Sequence, residues 1–453
     1  MSHSEKPEQG SRGLTRRQLL ATVGSATAMM LASGAGTGWG TASAAALPGA
    51  VQQESPIWHN VKDYGAGNLG RTNVDDAPAI QSAMNAAVRT GGIVYFPPGT
   101  YYLNSSLVLY SNVKLLGASS QRSVLKSLQS HLILMVGNGV KHAEVESLGF
   151  EGTGNLYQEV FADPERAVHL KDCEHVRIRD CSFSKITNGI RITDCRHVAV
   201  SGCLFNSLLS AGNDNEGYGI VAESGEGLRI TDNRFVQLPR PCIYLSAGCS
   251  YSTVSGNTAE KCKDAFVVVS SKIKPCSHNR IEGNTASGAG LAKDETSCSR
   301  GILLRSYSTD NLIQHNVISR AAFTGIMLEG EGTAELERPA GNLISGNKVD
   351  GAPEGIALLN SDGNAVTGND VRRVKTGILL NTKGEGSGAR CRSNLVSGNT
   401  LFSCSSAAIR LGSARCESNT VYGNSGTGNG EALRIKGRIR QKAASDGYSP
   451  MPD

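Results

Sequence analysis

The feature that most constrains this chain is a short repeat that recurs from about residue 140 to 437. Each copy has an aliphatic residue and, two residues later, Gly or Asp followed by Asn or Cys, as at Ile281, Gly283 and Asn284. After a looser stretch, a small residue such as Gly301 precedes the next aliphatic one. A repeat of roughly 20 to 50 residues is typical of a solenoid, in which each repeat packs only on its neighbours. The Asn or Cys positions are Cys181, Cys203, Asn233, Asn257, Asn284, Asn316, Asn347, Asn369, Asn399 and Asn424.

The repeats have the character of strands rather than helices. They contain short β-favouring runs, such as residues 377–380, broken by Gly, Asn and Ser, and they lack helical periodicity. Asn tolerates the left-handed backbone of a tight turn, and its amide can bond to the Asn one coil above. The sequence therefore predicts an all-β fold, a single-stranded right-handed parallel β-helix of about 10 to 12 coils with a short N-terminal capping helix. The small residues that precede each aliphatic position are Gly189, Gly219, Cys242, Ala265, Gly301, Gly325, Gly355, Gly377, Ala408 and Ala432.

The ends of the chain differ in composition from the repeats. Residues 15–20, TRRQLL, form a twin-arginine pattern, and Ala42 to Ala44 suit cleavage by signal peptidase. We therefore expect a twin-arginine signal peptide at 1–44, a cap and first coils at 45–139, β-helix repeats at 140–437 and a disordered tail at 438–453. The expected location is secreted, either periplasmic or extracellular, with no membrane contact of the mature form.

Net charge limits the classes of ligand that the chain can bind, and the cysteine content indicates how neighbouring coils can be linked. The formal net charge is +5, part of it in the leader, which is too little to indicate nucleic acid. Twelve Cys in an exported chain suggest either disulfides between neighbouring coils or a stack of buried thiols. No metal site or cofactor is expected; calcium would be compatible, although no calcium motif is present. The register puts ten of these cysteines on adjacent coils in five pairs: Cys173 and Cys195, Cys249 and Cys276, Cys391 and Cys416, Cys181 and Cys203, and Cys262 and Cys298.

Residues 60–117 carry a family resemblance. The segments 61–66 (VKDYGA), 75–83 (DDAPAIQSA), 91–101 (GGIVYFPPGTY) and 112–117 (NVKLLG) closely resemble the opening of the pectate-lyase-like β-helix superfamily. The branch is the one shared by polygalacturonase-related proteins, mannuronan epimerases and phage tailspikes. The resemblance implies the fold and a carbohydrate substrate, but fold alone does not fix the chemistry.

The catalytic motifs of these relatives are incomplete in this chain. Arg434 to Lys436 matches one polygalacturonase motif, but it lies in the last coil without the paired Asp and Gly-His-Gly motifs. Asp163 to Glu165 comes nearest to the epimerase motif and lacks its His. No catalytic residue is therefore carried over from either group.

Two acidic residues of the opening have a structural explanation. Asp75 or Asp76 is expected to cap the first helix, with Pro78 in its first turn. That helix should cover the open end of the rod, which would otherwise expose strand edges. Its predicted apolar face comprises Ile80, Ala83, Met84, Ala87 and Val88.

Unequal loop lengths indicate where a binding or active site lies. Two coils carry extra residues at the same turn, at 207–218 and 287–300, and they should form walls beside a trench over the two coils between them. The floor is expected to comprise Arg240, Pro241, Lys261, Lys263 and Asp264. The walls would add Asp214, Glu216, Tyr218 and Arg300, and the following strands Glu223, Tyr244, Arg305 and Glu329.

Two chemistries fit these residue types. Hydrolysis of a glycosidic bond needs one protonated and one ionised carboxylate, and Glu223, Asp264 and Glu329 are the candidates. Elimination from a uronic sugar needs a base and a cation that stabilises the enolate-like charge. Tyr218 or Tyr244 could be that base, and Arg240, Arg300 or Arg305 could supply the charge.

The predicted function is that of a secreted carbohydrate-active enzyme that cleaves a polysaccharide as a hydrolase or a lyase. Two alternatives stay open: an epimerase or intramolecular glycosyl or fructosyl transferase, and a non-catalytic carbohydrate-binding surface protein. The expected partner is a polysaccharide or oligosaccharide, and a homotrimer would be compatible with this architecture.

Overall fold

The computed structural model describes residues 57–67, 74–156, 164–210, 216–288, 300–331, 337–384 and 388–436, and the backbone of strands at 439–442 and 448–450. The predicted leader, Cys298 and Asp214 lie outside these ranges. The described residues form a right-handed parallel β-helix in which three long parallel sheets run along the rod, and this confirms the predicted fold class. Among the described residues, no helix is long and apolar enough to cross a lipid bilayer.

Successive coils contribute one strand to each of three sheets, which we call A, B and C. The strands of sheet A are Trp58–Asn60, Ile93–Phe96, Lys114–Gly117, Glu144–Glu146, Arg177–Arg179, Ala199–Ser201, Arg229–Thr231, Thr253–Ser255, Arg280–Glu282, Leu312–Gln314, Leu343–Ser345, Ala365–Thr367, Leu395–Ser397, Asn419–Tyr422 and Ile439–Lys442. The strands of sheet B are Gly99–Leu103, Ser123–Ser127, Gly149–Glu151, Ser182–Ser184, Leu204–Asn206, Arg234–Val236, Thr258–Glu260, Thr285–Ser287, Val317–Ser319, Lys348–Asp350, Asp370–Arg372 and Thr400–Phe402. The strands of sheet C are Leu107–Val108, Ile133–Asn138, Arg166–Lys171, Asn188–Thr193, Ile220–Glu223, Ile243–Ser246, Ala265–Ser270, Arg300–Arg305, Thr324–Glu329, Glu354–Leu359, Thr376–Asn381, Ala407–Leu411 and Leu433–Ile435.

Two further strand pairs lie outside the three long sheets. Cys276–Ser277 pairs with Ser308–Thr309, and Gly426–Asn429 pairs with Tyr448–Pro450. The segment 438–453, predicted as a disordered tail, thus contains two short strands, Ile439–Lys442 and Tyr448–Pro450, which continue the coil pattern.

Hydrogen-bonded asparagines stabilise the turn between sheets A and B. The Asn316 amide donates to Asn347 Oδ1 at 2.9 Å and to the Ile281 carbonyl at 2.8 Å, and the same pattern repeats from Asn233 to Asn424. The predicted ladder is therefore confirmed. The left-handed residue, however, is the Gly, Asp or His before each Asn, as at Gly283 with a φ of 63°. A short Asn is kept in the interior because all its polar atoms find partners there.

A second asparagine ladder lies five residues earlier in each coil, and the sequence analysis missed it. Its members are Asn279, Asn311, Asn342, Asn364, Asn394 and Asn419, and each donates to the next at about 3.0 Å. The signal was present in the sequence as pairs of Asn separated by four residues, as at Asn364 and Asn369.

Small residues in sheet C allow close packing inside the coils. A Cβ atom at Gly189 would lie 2.4 Å from the Gly219 carbonyl oxygen and 2.6 Å from the Phe205 ring. Phe205 belongs to a stack of four phenyl rings in sheet B, with centroids 4.5 to 5.2 Å apart. The small positions therefore make room for large side chains of the opposite wall.

One predicted small position was wrong by a residue. Phe266, rather than Ala265, lies in register with Gly301, because Ala265 pairs with Arg300. The phenyl stack of sheet B ends at Phe235, whose neighbour one coil on is Ala259. Phe266 packs edge-on against Phe235 with ring centroids 6.4 Å apart. We infer that Phe266 fills the volume that Ala259 leaves in the next coil.

The capping helix spans Ala77–Thr90 and contacts the first strands of the rod. Asp75 Oδ1 accepts hydrogen bonds from the N–H groups of Ala77 and Asn104, both at 3.0 Å. Asp76 instead accepts from the N–H groups of Gly67 and Tyr102. Both acids therefore organise the cap. Ile80, Ala83, Met84 and Ala87 are buried as predicted, whereas Val88 is 46% exposed because it faces away from the rod.

The described cysteines are buried thiols at several positions of the coil. The eleven that the structure describes are all free and buried, so the thiol alternative, and not the disulfide alternative, is present. Neighbours from adjacent coils do lie together, as shown by the 3.3 Å hydrogen bond from the Cys173 backbone N–H to Cys195 Sγ. Cys262 interacts with Cys242 of the preceding coil, and its predicted partner, Cys298, lies outside the described residues.

Candidate active site

Two neighbouring cavities lie on the outer face of sheet C, over the coils where the trench was predicted. The first has a volume of about 80 Å³ and the second about 140 Å³, and they share Tyr218 and Tyr244. Residues of sheet C alternate between core and exterior, so the in-register row Val221, Tyr244, Val268 and Leu303 faces outward and forms the apolar floor. The first cavity is lined by Tyr218, Arg240, Pro241, Tyr244, Asp264, Val268, Leu303 and Arg305.

Tyr218 and Arg240 form the central contact of the first cavity. Arg240 Nη2 donates a hydrogen bond to the Tyr218 hydroxyl at 2.8 Å, and its guanidinium carbon lies 5.1 Å from the Tyr218 ring centroid. The Tyr244 ring stacks on Tyr218 with centroids 5.9 Å apart. A guanidinium that donates to a phenol oxygen stabilises the phenolate form, which is the form able to accept a proton. Burial raises the pKa of Tyr244, so its phenolate form is less populated at neutral pH than that of an ordinary tyrosine.

Asp264 lies between two arginines at the edge of this cavity. Its Oδ2 is 3.4 Å from Arg240 Nη1, and its Oδ1 is 3.9 Å from Arg300 Nη1. Arg300 also donates to Met327 Sδ at 3.4 Å and lies over the Phe323 ring. Asp264 has a φ of 73°, the left-handed region that Asp tolerates better than most residues. The carboxylate therefore orients the two guanidinium groups, one of which contacts Tyr218.

Glu329 is the most enclosed carboxylate of this face, with a side chain only 6% exposed. Its Oε1 is 2.7 Å from Lys383 Nζ, and its Oε2 is 3.4 Å from Arg305 Nε. Burial alone would raise the pKa of Glu329, but the hydrogen bond from Lys383 and the charges of Lys383 and Arg305 outweigh it. The pKa of Glu329 therefore lies below its ordinary value, and the group is ionised at neutral pH.

The second cavity contains two more ion-pairing or hydrogen-bonded acids. Arg191 Nη2 is 2.7 Å from Glu223 Oε2. The Asn188 amide donates to Glu216 Oε2 at 3.0 Å, while its Oδ1 accepts from the N–H groups of Gly217 and Tyr218. Asn188 thus fixes the backbone that carries Tyr218. This cavity is lined by Arg166, Asn188, Ile190, Arg191, Glu216, Tyr218, Val221, Glu223 and Tyr244.

The structure brings most of the predicted residues together. Tyr218, Arg240, Tyr244, Asp264 and Arg305 line the first cavity, and Glu216 and Glu223 line the second. Arg300 and Glu329 lie beside the first cavity through their contacts with Asp264 and Arg305.

Two predicted floor residues, Lys261 and Lys263, are wrongly placed. Both are exposed in the turn that follows strand Thr258–Glu260 of sheet B, and neither is among the residues that line the two cavities. Of this segment only Asp264, directly before the sheet C strand, reaches the floor. Asp214 and most of the two predicted walls lie outside the described residues.

Four residues at or beside the cavities were not predicted from the sequence: Arg166, Asn188, Arg191 and Lys383. The first three occupy ordinary positions of sheet C strands. Their role depends on which side chains of the neighbouring coils lie beside them. Lys383 follows the strand Thr376–Asn381, two coils beyond Glu329, so no local pattern connects the two residues. Within the described ranges, no cluster of three or more His, Cys, Asp or Glu side chains has the arrangement of a metal site.

Comparison with known proteins gives the family. The family model for rhamnogalacturonase A/epimerase, pectate lyase-like proteins matches residues 58–292, and a right-handed β-helix model matches residues 295–438. Alginate lyase 7 of Azotobacter vinelandii is 41% identical over 76 residues, which are 15% of this chain and 9% of that protein. Mannuronan C5-epimerase AlgE6 of the same organism is 43% identical over 76 residues, 15% of this chain and 8% of the epimerase. The matched stretch thus spans less than a tenth of these relatives.

Solved structures share the fold at low sequence identity. The A-module of the Azotobacter vinelandii epimerase AlgE6 superposes with a TM-score of 0.52 at 17% identity, covering 87% of this chain and 100% of the module. The catalytic unit of an α-1,3-glucanase from Streptomyces thermodiastaticus gives 0.58 at 19% identity, covering 88% of this chain and 69% of that one. At these identities the likeness shows the fold alone. Since the first family model covers more than half of its length, the chain belongs to the rhamnogalacturonase A/epimerase, pectate lyase-like family of right-handed β-helix proteins.

Proposed function

We propose that this protein is a secreted lyase that cleaves a polysaccharide containing uronic acid by β-elimination at the first cavity. The observation that carries the proposal is the hydrogen bond from Arg240 to the Tyr218 hydroxyl, in a cavity that also contains Arg305. Tyrosine can act as a base when a cation stabilises its phenolate, and arginine can neutralise a uronic carboxylate. The relatives named above include an alginate lyase and epimerases, which agrees with a uronic substrate.

In the proposed reaction, the Tyr218 phenolate takes the proton from C5 of the uronic sugar. Arg305 binds the carboxylate and stabilises the enolate-like charge that develops beside C5. The electron pair of the C5–H bond becomes the C4–C5 double bond, and the C4–O bond to the next sugar breaks. The departing oxygen takes back the proton that Tyr218 received, which restores the phenolate. Tyr244 packs against Tyr218 and holds its ring in place.

The charges around the three predicted carboxylates, Glu223, Asp264 and Glu329, favour elimination over hydrolysis. Hydrolysis would need one carboxyl that keeps its proton at working pH. The lowered pKa of Glu329 disfavours that role, and Asp264 is paired with the guanidinium groups of Arg240 and Arg300. Glu223 is paired with Arg191 at 2.7 Å in the same way. The hydrolase prediction therefore has less support than the lyase prediction.

The test is incubation of the purified protein with neutral and uronic polysaccharides while ultraviolet absorbance and reducing ends are followed together. Elimination raises both signals, because each cut creates a double bond and a reducing end. Replacing Tyr218 with Phe (Tyr218→Phe) should lower kcat by about 100- to 10,000-fold, the usual range for loss of a general base. Tyr251→Phe is the matched control, because Tyr251 is exposed and stacks on His278 away from both cavities.

Other products would contradict the proposal in distinct ways. Reducing ends without a double bond would mean hydrolysis, and altered sugar configuration or cyclised sugars without cleavage would mean epimerisation or intramolecular transfer. Binding without any product would favour the carbohydrate-binding alternative. Export by the twin-arginine pathway and a homotrimer stay predictions, which detection of the cleaved protein outside the cytoplasm and light scattering would check.

A further inference from the structure

The first three strands of sheet A carry an apolar patch on their outer face. Alternate residues of a strand face the same side of a sheet. The register places Trp58 beside Ile93, and Tyr95 beside Leu116. These four side chains are exposed or half-buried, whereas the residues between them in the second and third strands are fully buried in the core. The patch therefore faces solvent on a different side of the rod from the two cavities.

Trp58 is the most prominent residue of this patch. It is 54% exposed, and the preceding residue, Ile57, is 52% exposed. The Trp58 and Tyr95 rings meet edge to face, with centroids 5.6 Å apart and an angle of 70° between the ring planes. Aromatic side chains carry a large apolar area, and adjoining apolar groups left open to solvent are typical of binding surfaces. Tyr95 holds the indole in place, and this makes a preformed ring surface available to a ligand.

A network of four charged side chains borders the patch on the following coils. Lys114, in register with Ile93, has its Nζ 2.5 Å from Glu146 Oε2. Arg179 completes the network, with its Nε 2.5 Å from Glu144 Oε1 and its Nη2 2.7 Å from Glu146 Oε2. Two cations and two carboxylates cancel. The border therefore offers hydrogen-bond donors and acceptors without an excess of either charge.

The size of the patch limits what it can bind. Three coils cover about 10 Å along the rod, and the two outward rows of a strand lie about 7 Å apart. A stable contact with a second protein needs about 800 Å² on each partner, several times the area of this patch. A sugar ring has the matching size, with an apolar C–H face for the indole and hydroxyl groups at its edge for the charged border.

We propose that Trp58, Tyr95 and the border of charged residues form a second sugar-binding site, which holds a polysaccharide by stacking and takes no part in its cleavage. The strand Trp58–Asn60 is the first of sheet A, and the coil of Tyr218 supplies the seventh, Arg229–Thr231. Six coil steps place the two sites about 29 Å apart along the rod. The inference goes beyond the proposed function and does not depend on the reaction at the first cavity.

The fluorescence of Trp58 tests the site directly. The chain contains two tryptophans, so that Trp39→Phe in the full chain leaves Trp58 as the sole emitter. Tyr218→Phe is added so that no ligand is consumed. The probes are hexasaccharides from cellulose, xylan and polygalacturonate. We expect a saturable change in emission with at least one of them, and it should persist at about 0.5 M salt because stacking is not an ionic contact. No saturable change with any of the three would overturn the inference.

Two variants should separate stacking from mere exposure. Trp58→Ala should weaken retention on the immobilised parent polysaccharide of the tightest hexasaccharide by about tenfold, the effect of losing one large aromatic contact. Trp58→Phe keeps a ring and should retain most of the affinity. Tyr422→Ala is the matched control, because Tyr422 is 42% exposed on the same sheet near its other end. Equal losses for Trp58→Ala and Tyr422→Ala would contradict a specific site.

The outcomes also separate this inference from the proposed function. A response of Trp58 without an unsaturated product from any polysaccharide would support the second site and contradict the lyase proposal. Cleavage by elimination without a response of Trp58 would have the opposite meaning. Where both hold, Trp58→Ala should slow cleavage of long polysaccharide and leave kcat on the hexasaccharide unchanged, because a hexasaccharide in the first cavity gains nothing from a site on another face.

Discussion

Glu329 illustrates how much a single residue of this face depends on its partners. Its side chain is 6% exposed, whereas those of Asp264 and Glu223 are each 31% exposed. A carboxylate that is so enclosed costs free energy unless cations compensate it, and here Lys383 and Arg305 do so from different coils. The contact also connects the segment around Lys383 to the strand Thr324–Glu329.

The pH dependence of stability should reveal this contact. The pKa of Glu329 in the folded protein lies below its ordinary value of 4.5, which applies to the unfolded chain. Its contribution is therefore fully present above pH 4.5 and is lost as the pH falls through the folded pKa. Glu329→Gln should lower the free energy of unfolding by about 1–2 kcal/mol at neutral pH. In urea titrations, the difference from wild type should shrink as the pH falls below 4.5.

The control for this prediction is Glu260→Gln, which removes an exposed partner of Arg234. It should change the free energy of unfolding by less than about 0.5 kcal/mol at any pH. A Glu329→Gln variant whose deficit stays constant with pH would show that packing, and not charge, explains the effect.

At the scale of one element, the interior of a coil depends on complementary volumes across the rod. Phe266 occupies a sheet C position that Gly or another small residue holds in most coils, and it packs against Phe235 where sheet B has Ala259. A large residue in sheet C thus accompanies a small residue in sheet B of the same coil.

This complementarity predicts a non-additive pair of substitutions. Phe266→Ala should cost about 3–5 kcal/mol because it leaves a cavity, and Ala259→Phe should cost about 1–3 kcal/mol because it overfills the coil. The double variant should be at least about 1 kcal/mol more stable than the sum of the two effects. Denaturant titrations of the three variants give the interaction energy.

As a control, Phe183→Ala combined with Ala259→Phe should give additive effects. Phe183 lies three rungs away from Ala259 in the sheet B stack, and residues so far apart rarely couple. Additive effects for Phe266 and Ala259 as well would contradict the volume argument.

At the scale of the whole molecule, the rod needs protection at its N-terminal end. The helix Ala77–Thr90 packs on the first strands through Ile80, Met84 and Ala87, all fully buried. Without it, the first coil would expose unpaired strand edges and core side chains, which associate readily.

Ile80→Asp should therefore cause association as well as loss of stability. Light scattering should detect soluble aggregates, because the charged side chain cannot stay buried and the helix leaves the end of the rod. Val88→Asp provides the control on the same helix, since Val88 is 46% exposed and should tolerate a charge. If Ile80→Asp scattered like wild type, the cap would not be what prevents association.

Much of the fold could be predicted from the sequence because each coil repeats the same local requirements. Left-handed turns need Gly or Asp, buried turn positions need a side chain such as Asn that bonds to its own copy one coil on, and strands need aliphatic residues. These needs recur within some 20 to 30 residues and leave a visible pattern. The prediction failed for Ala265 and Val88. At both positions the local pattern was compatible with either of two neighbouring residues being the buried one, and only the packing of the folded chain decides which it is.

The candidate site could be predicted in part. Unequal loop lengths indicated the face and coils on which the two cavities lie, and Tyr218, Arg240, Asp264 and Arg305 were among the predicted residues that line the first cavity. Lys261 and Lys263 were misplaced by the same argument, because side chains one or two residues from a turn can face either sheet.

The sequence by itself determined the rod, most of its coil register and the residue types on the face that carries the candidate site, because parallel stacking repeats local chemistry from coil to coil. Only the tertiary structure decided which charges meet: Arg240 with Tyr218, Arg191 with Glu223, and Lys383 with Glu329 across two coils. These contacts depend on side-chain direction and on turns that no repeat specifies. A contact between residues as far as 54 positions apart leaves no repeating pattern in the sequence from which it could be predicted.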